Sequence, residues 1–102
     1  MKTAYVYVMA NGTRTMYTGV TTNLERRVWE HRYHSDPDSL TAKYRLHKLV
    51  FVAEFNSIDD AIAFEKYVKG KKRAWKMGLV EQMNPRWNDL VWDWFPDGAS
   101  LS

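Results

Sequence analysis

The chain has 102 residues, of which 45% are hydrophobic, so it can bury one core but is too short for two independent domains. No run approaches the roughly 18 consecutive apolar residues of a membrane helix, and residues 1–5 lack the apolar stretch of a secretory signal, so we expect a cytoplasmic protein with no membrane partner. The lack of cysteine excludes disulfides and thiolate zinc sites and leaves Mg²⁺ or Mn²⁺ as the best-suited metals, while a net charge of +3 argues only weakly for a polyanionic partner.

The first predicted elements are two β-strands joined by a hairpin turn. Residues 5–8 and 16–20 are β-branched and aromatic runs, and Asn11-Gly12 between them readily adopts positive φ in such a turn. Thr22 and Glu25 form a capping box ahead of a helix predicted from Leu24 to about Tyr33. A loop is expected over residues 35–39 and a short helical turn over residues 40–46.

The second half of the chain predicts one strand and two helices. Residues 49–55 read as a largely buried third strand, and Ser57 caps a helix that runs at least to Val68. Gly70 disfavours its continuation, and a second helical piece ends before Asn84-Pro85. The aromatic remainder is expected to pack against the core, with fraying after Gly98; its large rings are Trp87, Trp92, Trp94 and Phe95.

Together these elements predict an α+β fold with a small three-stranded antiparallel sheet flanked by helices, in the order β-β-α-α-β-α-α. We expect a single domain over residues 1–95 and a short C-terminal tail over residues 96–102.

One segment is strongly basic. It contains no acid, whereas the chain from Met77 onward has four acids against Arg86 alone. The basic residues are Lys66, Lys69, Lys71, Lys72, Arg73 and Lys76. Such asymmetry suits contact with a phosphate backbone, but a solvated helix face has the same composition, and composition alone favours that second interpretation.

The first helix places two polar side chains on an apolar stripe. Arg27 and His31 follow the i, i+3, i+4, i+7 spacing that begins at Leu24. Because this helix emerges directly after the strand that bears Tyr17, and the hairpin brings Tyr7 alongside, the four groups can converge as a phosphate site. Alternatively, the tyrosines are ordinary strand residues, Arg27 pairs with an acid and His31 is a hydrogen-bonded edge residue.

Glu65 is a carboxylate beside the apolar stripe of a later helix, and two interpretations of it are equally supported. Near the cluster it could hold a divalent cation that keeps several waters, as Mg²⁺ prefers. It could instead form an i,i+4 pair with Lys69, worth roughly 0.2–0.5 kcal/mol on an exposed face.

An ordered set of motifs runs along the chain. Tyr5-Val6-Tyr7 and, after nine residues, Tyr17-Thr18-Gly19 are followed by Arg27 and His31. Glu65 and a closing segment, Asn84-Pro85-Arg86-Trp87-Asn88-Asp89-Leu90, complete the set. Over residues 2–90 this order resembles the GIY-YIG nucleases, especially their small stand-alone bacterial members. The resemblance implies a GIY-YIG-like fold and a metal-dependent endonuclease.

The resemblance also assigns site residues. Tyr7 takes the place of the tyrosine that ends the first motif, Tyr17 opens the second motif and Gly19 closes it. The remaining assignments are Arg27 as the catalytic arginine, His31 as the histidine one helical turn on, Glu65 as the metal-binding glutamate and Asn84 as the asparagine near the end of the domain. The chain departs from the family pattern at Tyr5, Val6 and Thr18, which shape the hairpin.

The function implied is hydrolysis of phosphodiester bonds in DNA with Mg²⁺ or Mn²⁺, on branched or nicked forms, in DNA repair or recombination. In this hypothesis Tyr7 accepts a proton, either as a phenolate or in a concerted transfer, and Tyr17 positions the water or shares the proton. His31 assists this network, and Arg27 neutralises charge in the transition state. Asn84 orients these groups, and the basic segment grips the backbone. Two alternatives are a non-cleaving nucleic-acid-binding module that recruits DNA or RNA for a partner protein, and a protein-interaction domain built on the aromatic tail.

Overall fold

Three antiparallel strands form the sheet at the centre of the protein. A computed structural model describes residues 2–33 and 43–95 of the chain. The strands are β1 (Ala4–Ala10), β2 (Met16–Thr21) and β3 (Lys48–Phe55), in the spatial order β2-β1-β3. Both neighbouring pairs are antiparallel, with a register irregularity between Val8 and Met9. The predicted three-stranded antiparallel sheet is confirmed.

The hairpin between β1 and β2 differs in detail from its prediction. Its left-handed residue is Arg14, with φ of 63°, rather than the Asn11-Gly12 pair. Asn11 acts through its side chain instead, because its Oδ1 accepts hydrogen bonds from the backbone N–H groups of Thr13 and Thr15, both at 3.0 Å. A loop that runs from Asn11 to Thr15 does not require the two positive φ angles of a two-residue turn.

Three helices accompany the sheet in the described residues: α1 (Leu24–Tyr33), α2 (Ile58–Lys69) and α3 (Arg73–Met83). The predicted capping box at α1 is wrong: the cap is Asn23, whose Oδ1 accepts from the Arg26 N–H at 3.1 Å. The predicted cap of α2 is confirmed, since the Ser57 hydroxyl accepts from Asp59 and Asp60. Gly70 ends that helix.

Some predictions fall outside the described residues. They are the loop over 35–39, the first three residues of the helical turn over 40–46, the tail over 96–102 and the fraying after Gly98. The rest of that turn is described, with Lys43 helical and Tyr44 and Arg45 in a turn. Within residues 2–33 and 43–95, the elements follow the order β-β-α-β-α-α. No helix in those ranges is long and apolar enough to cross a membrane.

Both faces of the sheet are covered. Successive side chains of β1 point to opposite faces, which decides the face on which each residue packs. Tyr7 and Met9 pack on one face with Val28 of α1. Val6 packs on the other face with Ala61 of α2, and Val8 belongs to the cluster that contains Val80 of α3. The face beneath α1 therefore presents Tyr7 to the residues of that helix.

The segment after α3 is tied to the core by a largely buried ion pair. Arg32 of α1 and Asp89 approach to 2.6 Å, with 8% and 19% of their side chains exposed. The guanidinium also donates to backbone carbonyls of Val91 and Trp94, and Asp89 Oδ1 accepts from the backbone N–H of Leu49. This network fixes α1 relative to β3 and the aromatic segment.

Packing of that aromatic segment is uneven. Trp87 is buried, Trp94 and Phe95 are half-buried, and Trp92 is 78% exposed. The expectation that these rings pack against the core thus fails for Trp92.

Candidate active site

Three rings from three different elements meet beneath α1. Tyr7 of β1, Tyr17 of β2 and His31 of α1 have ring centroids 5.5 to 6.3 Å apart. Tyr7 Oη lies 3.0 Å from His31 Nε2, and this hydrogen bond is buried. Tyr7 is fully buried, whereas Tyr17 is only half-buried. The cluster therefore has a closed side at Tyr7 and an accessible side at Tyr17.

Gly19 makes room for the Tyr7 ring. The two residues are direct partners across β1 and β2. A Cβ atom at Gly19 would lie 2.5 Å from both Cζ and Oη of Tyr7 and 2.9 Å from Cε1. Only glycine leaves this space, so the last residue of the second tyrosine motif serves to position the phenol.

Arg27 lies beside the same phenol. The guanidinium interacts with the Tyr7 side chain, and its Nη1 is 3.0 Å from Glu30 Oε1. Arg26 also approaches Glu30, at 3.6 Å. Arg27 thus contacts the cluster and also pairs with an acid, so the structure contains both of the arrangements that the sequence suggested for this residue. Its side chain is 40% exposed, which leaves the cation accessible to an incoming anion.

Burial sets the protonation states in the cluster. It raises the pKa of Tyr7 to about 12, although the nearby Arg27 guanidinium opposes the rise. Burial also lowers the pKa of His31 to about 4, and here the positive charge of Arg27 acts in the same direction. At neutral pH the site therefore contains a neutral phenol hydrogen-bonded to a neutral imidazole, next to a guanidinium.

Glu65 is linked to this cluster by Lys69, its neighbour one turn along α2. Its Oε2 is 3.1 Å from Lys69 Nζ, and that ammonium lies over the Tyr17 ring, 5.6 Å from the centroid. The predicted i,i+4 pair with Lys69 is therefore present. The other interpretation, a carboxylate near the tyrosines, is also compatible with this placement.

The donor set around the cluster suits a hydrated magnesium ion better than a fully protein-ligated metal. No group of three or more His, Asp or Glu side chains arranged to hold a metal occurs in residues 2–33 and 43–95. A single carboxylate such as Glu65 matches the preference of Mg²⁺ for one or two carboxylates, several waters and a phosphate oxygen. A metal held by this one carboxylate would have most of its coordination shell supplied by water and substrate.

The basic segment spans two helices rather than one helix face. Lys66 and Lys69 lie on α2, Lys72 caps α3, and Arg73 and Lys76 lie within α3. Lys69 contacts Glu65 and Tyr17, so it belongs to the cluster. Lys71 Nζ lies 4.3 Å from the centroid of Tyr67 and 5.6 Å from that of Trp75. Arg73 donates to the backbone carbonyl of Arg14 at 2.9 Å.

Asn84 is placed away from the hydrogen bonds of the cluster. Its amide nitrogen donates to the carbonyls of Val50 and Asn88, and its Oδ1 accepts from the backbone N–H of Asn88. The side chain is buried, and all of these partners are main-chain groups. Asn84 therefore holds the segment after α3 against β3, while its predicted orienting role stays a prediction.

Sequence reasoning missed three residues that position the cluster: Glu30, Arg32 and Asp89. Glu30 could have been found, because it lies three residues after Arg27 and four after Arg26 on one helix. The pair of Arg32 with Asp89 joins positions far apart in the chain, and no local spacing indicates it.

Comparison with known proteins agrees with the geometry. A family model described as the GIY-YIG catalytic domain matches residues 3–78, well over half of the chain. The chain belongs to the GIY-YIG family. A GIY-YIG catalytic domain implies nuclease-type activity and a nucleic-acid substrate, and such nucleases typically use a divalent metal.

The chain is similar to small proteins named UPF0213 from several organisms. It is 34% identical to one from Syntrophus aciditrophicus over 85 residues, which is 83% of this chain and 97% of that one. It is 40% identical to one from Natronomonas pharaonis over 76 residues, 74% of this chain and 88% of that one. The solution NMR structure of a UPF0213 protein from Bacillus halodurans has a TM-score of 0.56 and 24% identity, over 88% of this chain and 95% of that one, and this likeness supports the fold.

Proposed function

We propose that the protein is a metal-dependent endonuclease that hydrolyses phosphodiester bonds in DNA. The single observation that supports this best is the buried hydrogen bond from Tyr7 Oη to His31 Nε2 with the Arg27 guanidinium beside it. A neutral acid–base pair next to a fixed cation is suited to moving a proton while negative charge develops on a phosphate.

The pKa values favour a concerted role for Tyr7. Leaving the phenol ionised at pH 7 costs about 7 kcal/mol when its pKa is about 12. Protonating an imidazole whose pKa is about 4 costs about 4 kcal/mol. We therefore expect Tyr7 to accept the proton of the attacking water as its own proton passes to His31 Nε2. Of the two roles that the sequence allows for Tyr7, a free phenolate or a concerted proton transfer, the pKa values therefore favour the concerted transfer.

Arg27 and Tyr17 complete the reaction centre. The planar guanidinium of Arg27 can make two parallel hydrogen bonds to phosphate oxygens, which stabilises the charge of the transition state. Tyr17, on the accessible side of the cluster, positions the water. A metal held by Glu65 would supply electrostatic stabilisation of the phosphate oxygens.

The basic residues outside the cluster provide affinity without sequence selection. Lys66, Lys72 and Arg73 are exposed at the end of α2 and the start of α3. Contacts from lysine and arginine to phosphates are independent of sequence and weaken as salt rises. We expect this surface to bind the DNA backbone of branched or nicked substrates, as a repair or recombination nuclease would require.

The proposal is tested by incubating purified protein with labelled single-stranded, duplex, nicked and branched DNA and with RNA, with and without Mg²⁺ or Mn²⁺. Glu65→Gln is compared with Glu54→Gln, which changes an exposed carboxylate on β3. We expect metal-dependent cleavage of DNA by the wild type and by Glu54→Gln, and a loss of at least about 100-fold in Glu65→Gln.

Other outcomes separate the alternatives. Tight binding of nucleic acid without cleavage under any metal condition would support the non-cleaving module and contradict the proposal. Cleavage of RNA alone would contradict DNA as the substrate. If Glu65→Gln cleaves DNA as fast as the wild type, the assignment of Glu65 as the metal ligand is wrong.

A further inference from the structure

The Glu65 carboxylate already has a cation beside it in the folded chain. Lys69 Nζ lies 3.1 Å from Glu65 Oε2, one helical turn along α2. The Glu65 side chain is only 14% exposed, whereas that of Lys69 is 47% exposed. A largely buried carboxylate needs a compensating charge more than a half-exposed ammonium does, so the ion pair matters more to Glu65 than to Lys69.

The same ammonium connects Glu65 to the tyrosine and histidine rings. Lys69 Nζ lies 5.6 Å from the centroid of Tyr17, and Tyr17 in turn packs against Tyr7 and His31. A metal ion bound to the Glu65 carboxylate would lie close to this positively charged ammonium group. Lys69 is therefore part of the active site rather than of the outer DNA-binding surface.

We propose that Lys69 is a resident counter-ion of Glu65 and that a divalent cation enters the site by displacing it from the carboxylate. This inference rests on the proposed function, because it takes Glu65 as the metal-binding residue. An i,i+4 ion pair is weak and the lysine stem is flexible, so the ammonium can leave while α2 stays folded. A dication and an ammonium repel each other, and each lowers the occupancy of the other at one carboxylate.

Displacement gives the lysine a second role. The released ammonium is a compact point charge on a long stem next to the place where phosphate is expected, and lysine binds phosphate in this way. In the absence of metal, the same residue keeps the Glu65 carboxylate compensated. The structure thus assigns to Lys69 control over how tightly the metal binds.

The test is a Mn²⁺ titration of the full chain followed by electron paramagnetic resonance, which reports free Mn²⁺ and needs no catalytic readout. Lys69→Met keeps the aliphatic stem and removes the charge, and we expect it to tighten Mn²⁺ binding roughly three- to tenfold. Lys69→Arg keeps a cation and should stay within about twofold of the wild type. Lys66→Met, which removes the same charge from an exposed position on α2, is the matched control and should also stay within about twofold.

Glu65→Gln distinguishes failure of this inference from failure of the proposed function. If Glu65→Gln loses Mn²⁺ binding but Lys69→Met binds Mn²⁺ no more tightly than the wild type, the counter-ion role is overturned and the metal assignment stands. If Glu65→Gln binds as tightly as the wild type, the metal assignment fails and the counter-ion role fails with it. If Lys66→Met tightens Mn²⁺ binding as much as Lys69→Met does, the effect comes from the positive charge of the basic segment as a whole. That result would overturn a specific role for Lys69.

Discussion

Gly19→Ala is expected to abolish most of the activity without altering any reacting group. The new Cβ would lie 2.5 Å from Cζ and Oη of Tyr7, whereas ordinary contacts begin at 3.4 Å, so the ring must move by about 0.9 Å or the two strands must separate. A shift of that size stretches the 3.0 Å bond from Tyr7 Oη to His31 Nε2 beyond hydrogen-bonding range. Misplacement of a catalytic group by about 1 Å costs on the order of 100-fold in rate, and overpacking a core costs about 1–3 kcal/mol.

Single-turnover DNA cleavage and urea unfolding, measured side by side, would test this expectation. Gly78→Ala is the matched control, because a Cβ at that position in α3 meets nothing within 4 Å and alanine is favoured over glycine in a helix by about 1 kcal/mol. We expect Gly78→Ala to be fully active and at least as stable as the wild type. A Gly19→Ala protein that cleaves at the wild-type rate would refute the positioning role of this glycine.

Three further predictions concern α1 and its supports. Because the pKa of His31 is about 4 in the folded chain against 6.5 for an ordinary histidine, the unfolded chain binds more protons between these pH values, and stability falls as the pH drops through that window. In urea unfolding, the free energy of unfolding of the wild type should therefore fall by about 3 kcal/mol more than that of His31→Asn between pH 7 and pH 4. Equal losses would contradict the lowered pKa of His31. Burial also lowers the pKa of His47, but this residue is common to both proteins, so its effect cancels in the comparison. Asp89→Asn leaves the buried guanidinium of Arg32 without its carboxylate, so denaturation should show a loss of about 2–4 kcal/mol, and no loss would mean that the pair does not anchor α1. Arg27→Lys keeps the charge but not the planar fork, so kcat should fall at least about tenfold while circular dichroism stays unchanged, and a wild-type kcat would argue against bidentate phosphate contact.

Local signals predicted most of the fold. Runs of β-branched and aromatic residues predicted the strands because such side chains pack well on a pleated sheet, and Ser57 marked a helix start because its hydroxyl satisfies free N–H groups. The convergence of Tyr7, Tyr17 and His31 also followed from local features, namely a hairpin that pairs two strands and a helix that follows directly.

Features that depend on tertiary contacts were not predictable in this way. The left-handed residue in the hairpin is Arg14, because the Asn11 side chain organises the loop. Arg32 and Asp89 are far apart in the chain and are brought together by the whole fold, so no local spacing indicates that they pair. Lys69 lies three residues after Lys66 in one basic segment, yet only the structure shows that its ammonium lies over the Tyr17 ring of the tyrosine and histidine cluster.

The most direct test of the central claim is the single-turnover rate at which Tyr7→Phe cleaves labelled DNA in the presence of Mg²⁺, compared with the wild type. Phenylalanine keeps the buried ring and its packing but removes the oxygen that lies 3.0 Å from His31 Nε2. If this buried pair moves the proton during hydrolysis, the wild type cleaves and the variant is slower by at least about 100-fold. A variant that cleaves as fast as the wild type would contradict the account.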